Sequence, residues 1–272
     1  MKLTTTAYYN EIDPYAAQWL RNLIAAGHIA PGDVDERSIE DVHPDDLKHY
    51  TQCHFFAGIG VWSLALRRAG WPDDRPVWTG SCPCQPFSSA GEGAGLDDPR
   101  HLWPHFAWLI RQRRPGEVLG EQVASKDAEP WLDLVQADLE AMEYAFGAIA
   151  FPSAGIGAPH IRDRTYWVAN TIMPERSDGQ SGIGFVDDPQ GRLEGAATSA
   201  GLRSDCSPGP VNGLWADADW LLCRDGKWRP VEPGAFPLAH GAPSRVGRLR
   251  AYGNAINAEA ATQFIAAYME AA

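Results

Sequence analysis

The sequence predicts an α/β protein built on a doubly wound, mostly parallel sheet, and three observations carry that prediction. Short apolar or β-branched runs alternate along the chain with stretches at helical spacing. Turns rich in glycine or proline fall where strands give way, at Ala57-Gly58-Ile59-Gly60 and at Gly80-Ser81-Cys82-Pro83. The length of 272 residues at 44% hydrophobic content suits one large domain, or one domain with a smaller insertion.

Leu3 to Tyr9, rich in Thr and Tyr, reads as a strand that ends in Asn10-Glu11-Ile12-Asp13. A helix follows from about Pro14 to Ala26, with Ala16, Leu20 and Ile24 on one face. A short strand ending at Asp33 comes next, then a strong strand over Thr51 to Phe56, the glycine turn, and a helix over Val61 to Ala69. Pro76 to Thr79 is a strand that runs into Gly80 to Pro86. The Gly- and Ser-rich stretch to Pro99 is too polar for core and reads as a mobile loop. A helix near Leu102 to Arg113, a strand over Glu117 to Val123, a helix over Pro130 to Met142, and strands at Phe146 to Phe151 and Tyr166 to Ala169 continue the alternation.

From Asn170 to about Glu232 the composition shifts to Gly, Ser, Pro and Asp, with a hairpin turn at Asp225-Gly226 between Trp220 and Trp228. The expected organisation is a catalytic domain over 1–170, an inserted subdomain over 171–234, and a segment over 235–272 that returns to the first domain and ends in an Ala-rich helix.

The formal charge of −12 argues against a surface that grips nucleic acid everywhere, because neutralising phosphates needs Lys and Arg. It leaves room for a local basic cleft, and arginines cluster at 111–114, 162–164 and 245–250. No apolar run is long enough to cross a bilayer, and Met1 to Tyr9 lacks the pattern of a secretory signal, so a cytoplasmic protein with no membrane partner is expected. Five scattered cysteines point to reduced thiols rather than a disulfide framework.

Gly58 and Gly60 let backbone approach a ligand at a helix start, although such a turn is as often packing punctuation. Cys84 lies just past the carboxyl end of a strand, between Pro83 and Pro86, where open α/β sheets place their active sites. A thiol held there can act as a nucleophile, whereas an average cysteine is simply buried. Cys82 and Cys84 stand too close for a usual zinc pair and have no partner pair nearby, so no metal is expected. Glu121 ends an apolar strand, where burial suits a carboxylate to acid work; its plain alternative is a surface charge. Arg162 and Arg164, two apart, would point the same way and could bind a phosphate or a base oxygen, or singly be solvated.

In this combination Phe56-Ala57-Gly58-Ile59-Gly60, Pro83-Cys84-Gln85-Pro86-Phe87-Ser88, Glu121-Gln122-Val123, Arg162-Asp163-Arg164 and Gly253-Asn254-Ala255-Ile256 resemble the DNA cytosine C5-methyltransferase family, of the phage or prophage kind. The resemblance implies an S-adenosylmethionine-dependent, Rossmann-like fold, double-stranded DNA as substrate, and a monomeric enzyme. It implies a target recognition subdomain within the irregular stretch. The family places its glycine motif first, followed by an acidic ribose-binding residue and an adenine-contacting aspartate; here too little chain separates Gly60 from Pro83 to hold them. Asn10-Glu11-Ile12-Asp13 and Gly32-Asp33-Val34 resemble those pieces, which implies a permuted order with Glu11, rather than Asp73 or Asp74, at the ribose.

On the same resemblance Phe56, Ala57, Gly58, Ile59, Gly60, Glu11, Ile12, Asp33, Val34, Pro83, Leu102, Asn254 and Ala255 would bind the cofactor, and Gln85, Ser88 and Arg100 would touch DNA. Cys84 would attack C6 of a flipped-out cytosine, Glu121 would meet N3, and Arg164 and Arg162 would hold the base carbonyl and the site. The sequence departs from the family pattern at His54, Val61, Gln122, His160 and Ala255, none of which is a reacting group. Two other readings remain beside this one: a catalytically silent DNA-binding relative, which intact Cys84 and Glu121 disfavour, and a cysteine-dependent enzyme of free pyrimidine nucleotides, which would need no recognition subdomain.

Overall fold

The computed structural model describes residues 7–83, 102–126, 128–158, 162–171, 219–222, 228–231 and 255–271. Seven strands form one sheet: β1 (Ala7–Asn10), β2 (Gly32–Asp35), β3 (Gln52–Phe55), β4 (Val77–Gly80), β5 (Glu117–Val123), β6 (Ala145–Pro152) and β7 (Asp163–Asn170), in the spatial order β2-β1-β3-β4-β5-β7-β6. The pairs from β2 through β5 are parallel, while β7 is antiparallel to both β5 and β6. A mostly parallel sheet was expected, and its one reversal has a simple cause. Too few residues separate Pro152 from Asp163 for the dozen or so that a parallel crossover needs, so the chain turns back through a 3-10 turn at Ser153–Ile156.

Helices cover both faces. On one face lie α1 (Pro14–Ala25), α2 (Val61–Arg68) and the C-terminal α5 (Ala258–Ala271); on the other lie α3 (Trp103–Arg113) and α4 (Glu129–Ala141). The strand alternation sorts the core accordingly. Tyr8, Phe55, Trp78, Val118 and Trp167 pack against Trp103, Phe106 and Trp131 of α3 and α4, whereas Val77, Leu119 and Tyr166 pack against Trp62, Leu66 and Ile265. Ala7 and Tyr9 meet Leu20 and Ile29 beside α1. The Trp167 indole lies across Gly120 of β5, where an added Cβ would sit 2.1 Å from its ring, so this strand position has to be bare.

The helix starts follow local chemistry. Asp13 caps α1, accepting from the Tyr15 and Ala16 amides at 2.8 and 3.3 Å, with Pro14 at the first turn. Gly60, at φ 78°, caps α2 in a left-handed conformation that glycine adopts without strain. Several elements run past their expected ends. The second strand begins at Gly32 and extends to Asp35 rather than ending at Asp33, and the last large strand begins at Asp163, three positions before Tyr166. In the irregular region β8 (Asp219–Leu222) and β9 (Trp228–Val231) form an antiparallel pair with Leu222 opposite Trp228. That is the pairing the Asp225-Gly226 hairpin requires, although the turn itself lies outside the described residues.

Candidate active site

The chain leaves β1 for the outer strand β2 and leaves β3 for β4 on the other side, so the crossovers diverge between β1 and β3. Ligands of open α/β sheets bind in the crevice at such a switch point. Here it is edged by Glu11 and the glycine turn. The Gly58 amide donates to Glu11 Oε2 at 2.7 Å, the Asp13 amide donates to Oε1 at 2.9 Å, and the Ala57 amide donates to the Asn10 carbonyl at 3.0 Å. Phe56 and Gly58 both have left-handed φ, at 53° and 55°, which folds the turn back over the end of β1.

Each residue of Asn10-Glu11-Ile12-Asp13 thus has its own task. Asn10 is buried and donates to the Arg37 carbonyl at 2.8 Å, Glu11 faces the glycine turn, Ile12 leaves 65% of its surface exposed, and Asp13 caps α1. Among the described residues nothing lies within 4 Å of a Cβ built on Gly58, so the backbone there is open to a ligand; Gly60 backs onto Leu20 and Ile29.

The structure does not bring Asp33 and Val34 to that crevice in the same way. Asp33 sits inside β2 opposite Tyr8, two residues before the strand's carboxyl end, and accepts from the Tyr50 hydroxyl at 2.9 Å. Val34 turns to the opposite face and packs on the α1 core. The carboxylate at the end of β2 is Asp35, already held by Arg37 and by the Tyr8 hydroxyl at 2.7 Å. Burial pushes its pKa up, but these donors outweigh that and hold it below the usual carboxylate value.

A second group of residues gathers at the carboxyl end of β5. Glu121 is only 7% exposed, and Arg164 Nε lies 2.7 Å from its Oε1. Glu121 pairs with Tyr166 in the ladder and Val123 with Arg164, which puts both side chains on the α2 face. Burial raises the Glu121 pKa, with Arg164, the Ser81 hydroxyl and Arg162 pulling it partway back. Arg162 precedes the strand with a left-handed φ of 35°, and its guanidinium donates to the Ala255 carbonyl, tying β7 to the segment before α5. Burial lowers the Arg162 pKa, and the neighbouring Arg164 charge adds to that effect. The two arginines are therefore partnered, not solvated.

The turn after β4 is braced on both sides. Trp62 Nε1 donates to Ser81 Oγ at 3.0 Å, and Gln122 Nε2 reaches the Cys82 carbonyl at 3.4 Å. Cys82 is buried, which pushes its thiol pKa far up and leaves it inert. Pro83 is exposed, and Leu102 lies at the entry to α3. Cys84, Gln85, Ser88, Arg100 and Asn254 lie outside the described residues. Sequence reasoning missed Trp62 and Ser81, for which the only available signal was a tryptophan immediately after a glycine turn.

Residues 70–176 match the model of a family described as C-5 cytosine-specific DNA methylase. The type II methyltransferase M.HhaI of Haemophilus parahaemolyticus is 30% identical over 99 residues, which cover 35% of this chain and 30% of that protein. The type II methyltransferase M.AluI of Cellulosimicrobium cellulans is 29% identical over 124 residues, covering 42% and 23%. The chain thus spans less than a third of the length of these curated relatives. Among solved structures, a DNMT2 mutant of Spodoptera frugiperda superposes with a TM-score of 0.39 at 17% identity, covering 60% of this chain and 41% of that one. A putative DNA modification methyltransferase encoded within a prophage (E. coli) gives 0.39 at 18%, covering 60% and 39%.

Proposed function

We propose that this chain is a C-5 cytosine-specific DNA methylase, which transfers a methyl group to C5 of cytosine in duplex DNA; the match of residues 70–176 to that family's model and the similarity to type II methyltransferases support the reading. The family's methyl donor is S-adenosylmethionine, which supplies an electrophilic methyl group. The observation that carries the reading is the buried Glu121, paired with Arg164, on the turn-bearing edge of the sheet and on the same face as Ser81.

The residues at the switch point fit that donor. Glu11 offers carboxylate oxygens to vicinal hydroxyls, Gly58 offers unobstructed backbone, and exposed Ile12 offers an apolar surface to a flat ring. Phe56, Ala57, Ile59 and Gly60 shape the same turn, and Pro83, Leu102, Asn254 and Ala255 complete the proposed cofactor set. Asp33 and Val34 stand in it by resemblance alone, because the described strand holds them below the crevice.

The target base has to leave the stack, since C5 and C6 are not reachable within a duplex. The Cys84 thiolate forms a bond to C6, and the electron pair of the C5–C6 double bond moves into the ring. Glu121, kept receptive to a proton by burial, donates to N3 and absorbs the charge that builds there. Arg164 holds Glu121 in place and presents its remaining donors toward the base carbonyl, while Arg162 anchors the edge through Ala255. C5 then carries the methyl group; a base takes the C5 proton, the electron pair left on C5 re-forms the C5–C6 double bond, and the C6–S bond breaks with Cys84 departing as thiolate. Gln85, Ser88 and Arg100 contact the DNA.

We further infer that residues 1–170 and 235–272 form the catalytic domain and 171–234 a recognition subdomain around the β8–β9 pair. A permuted motif order is part of this reading, supported by the strand before Glu11 preceding the glycine strand in the chain while lying beside it in the sheet. The enzyme acts as a monomer in the cytoplasm.

Incubating the protein with tritiated S-adenosylmethionine and either duplex DNA or an RNA duplex of the same sequence tests the proposal. Label should enter DNA, resist alkali as 5-methylcytosine, and vanish in Cys84→Ser. Label in RNA alone overturns the substrate, and an active Cys84→Ser variant overturns the nucleophile.

A further inference from the structure

We propose that Ser81 is a positioning residue for Glu121: the Trp62 indole turns the Ser81 hydroxyl onto the Glu121 carboxyl, so that the turn leading to Cys84 and the group that meets the base are aimed together. The inference takes its purpose from the methyl-transfer reading, but its geometry stands apart from it.

An indole nitrogen can only donate, so at 3.0 Å the Ser81 oxygen accepts from Trp62 and its own hydrogen is left for another acceptor. Gly80 pairs with Gly120 in the parallel ladder, so the next positions, Ser81 and Glu121, come side by side at the same strand ends, and the Glu121 carboxyl is the acceptor we assign to that hydrogen; the Ser81 hydroxyl is among the groups that lower the Glu121 pKa against burial. Arg164 Nε holds Oε1 from the other side at 2.7 Å. Among the described residues, the other charged or titratable groups that act on Glu121 are the Arg162 guanidinium and the Tyr166 hydroxyl, both from the β7 side, and α2 contributes the uncharged Trp62 through Ser81.

Trp62 is a fixed point. It is buried, meets Tyr166 edge-on at 6.2 Å between ring centres, and lies two residues after Gly60 in the first turn of α2. A continuous path therefore runs from the glycine turn through Trp62 and Ser81 to Glu121. A hydroxyl that donates to a carboxylate favours its charged form, so Ser81 opposes the effect of burial and keeps the proton on Glu121 transferable.

The test is a carboxyl titration by NMR on the full-length protein labelled with 13C-glutamate, without DNA or cofactor, the Glu121 signal being assigned through Glu121→Gln. Ser81→Ala should move the Glu121 midpoint upward, Ser81→Thr should restore it, and Trp62→Phe should give a smaller shift in the same direction. The alkaline limb of the methyl-transfer pH profile should move with it. An unmoved midpoint in a folded Ser81→Ala protein overturns the proposal; should that variant not fold, an unmoved midpoint in Trp62→Phe does so. Shifts without any methyl transfer by the wild type would sustain Ser81 and sink the methyltransferase reading. Normal transfer with no shift would do the reverse.

Discussion

Two strand ends on the carboxyl edge of the sheet each present a glutamate, and their surroundings differ in almost every respect. Glu11, at the end of β1, is partly exposed and is met by two backbone amides, those of Gly58 and Asp13. Glu121, at the end of β5, is buried and is met by a guanidinium and a hydroxyl. Backbone donors at an open edge suit a carboxylate that exchanges partners with an incoming ligand. Burial beside a single ion pair suits one whose proton is part of the chemistry. The same side chain is thus given two tasks by its setting.

The largest effect should come from breaking the buried end. Glu121→Gln should lower kcat for methyl transfer by roughly 10²- to 10⁴-fold, while cofactor affinity measured by calorimetry stays near that of the wild type. A comparable loss of cofactor affinity would mean that the two ends do not divide the work. The same variant should also expose a cost. Because the Glu121 pKa is raised by folding, its contribution to stability is fully present below the unfolded value and is lost as pH climbs through the folded one. Melting temperatures of wild type and Glu121→Gln should therefore diverge with rising pH, with the variant gaining on the wild type.

Arg164→Ala comes next. Leaving Glu121 buried without its partner should cost about 2 kcal/mol near neutrality, below the usual loss for a fully buried pair because Arg164 retains some solvent contact. The cost should shrink in acid, where Glu121 takes up a proton, and paired urea titrations at pH 5 and pH 8 would read the difference. Glu11→Ala should weaken cofactor binding roughly tenfold, the value of a lost hydrogen bond to a charged group, with little change in kcat. At the small end, Arg21→Ala removes an exposed pair with Glu36 near β2 and should shift stability by no more than about 0.5 kcal/mol. A larger loss would show that the open end is held more tightly than its exposure implies.

The parts of the molecule legible in the sequence are those encoded locally. The run Val118 to Gly120 is apolar, and the strand read over Glu117 to Val123 is a strand over those same residues. Gly58 and Gly60 announced a turn because few other residues accept its φ values. What stayed hidden depends on distant partners. Arg162 reads as a surface charge until Ala255, 93 positions later, folds against it. Ser81 reads as turn punctuation until Trp62 comes to lie over it. Asp33 reads as a strand-end carboxylate, yet pairing with β1 draws three more residues of ladder beyond Gly32 and leaves it below the rim. The reversal of β7 was hidden for another reason, since a strand's direction is set by the length of its connection and not by its composition.

The place of β1 has a consequence for how the chain assembles. β1 is synthesised ahead of both strands that flank it, and its inner edge stays open until Gln52–Phe55 arrives from beyond β2 and two 3-10 turns. The β1-α1-β2 unit can close on its own through a local crossover, but Glu11 meets Gly58 only when that unit docks on β3. The crevice is therefore a seam between an early-forming unit and a later one. A ligand bound across that seam acts as a clasp, and saturating concentrations of it should slow the separation of the two units and protect the Gly58 amide from hydrogen exchange.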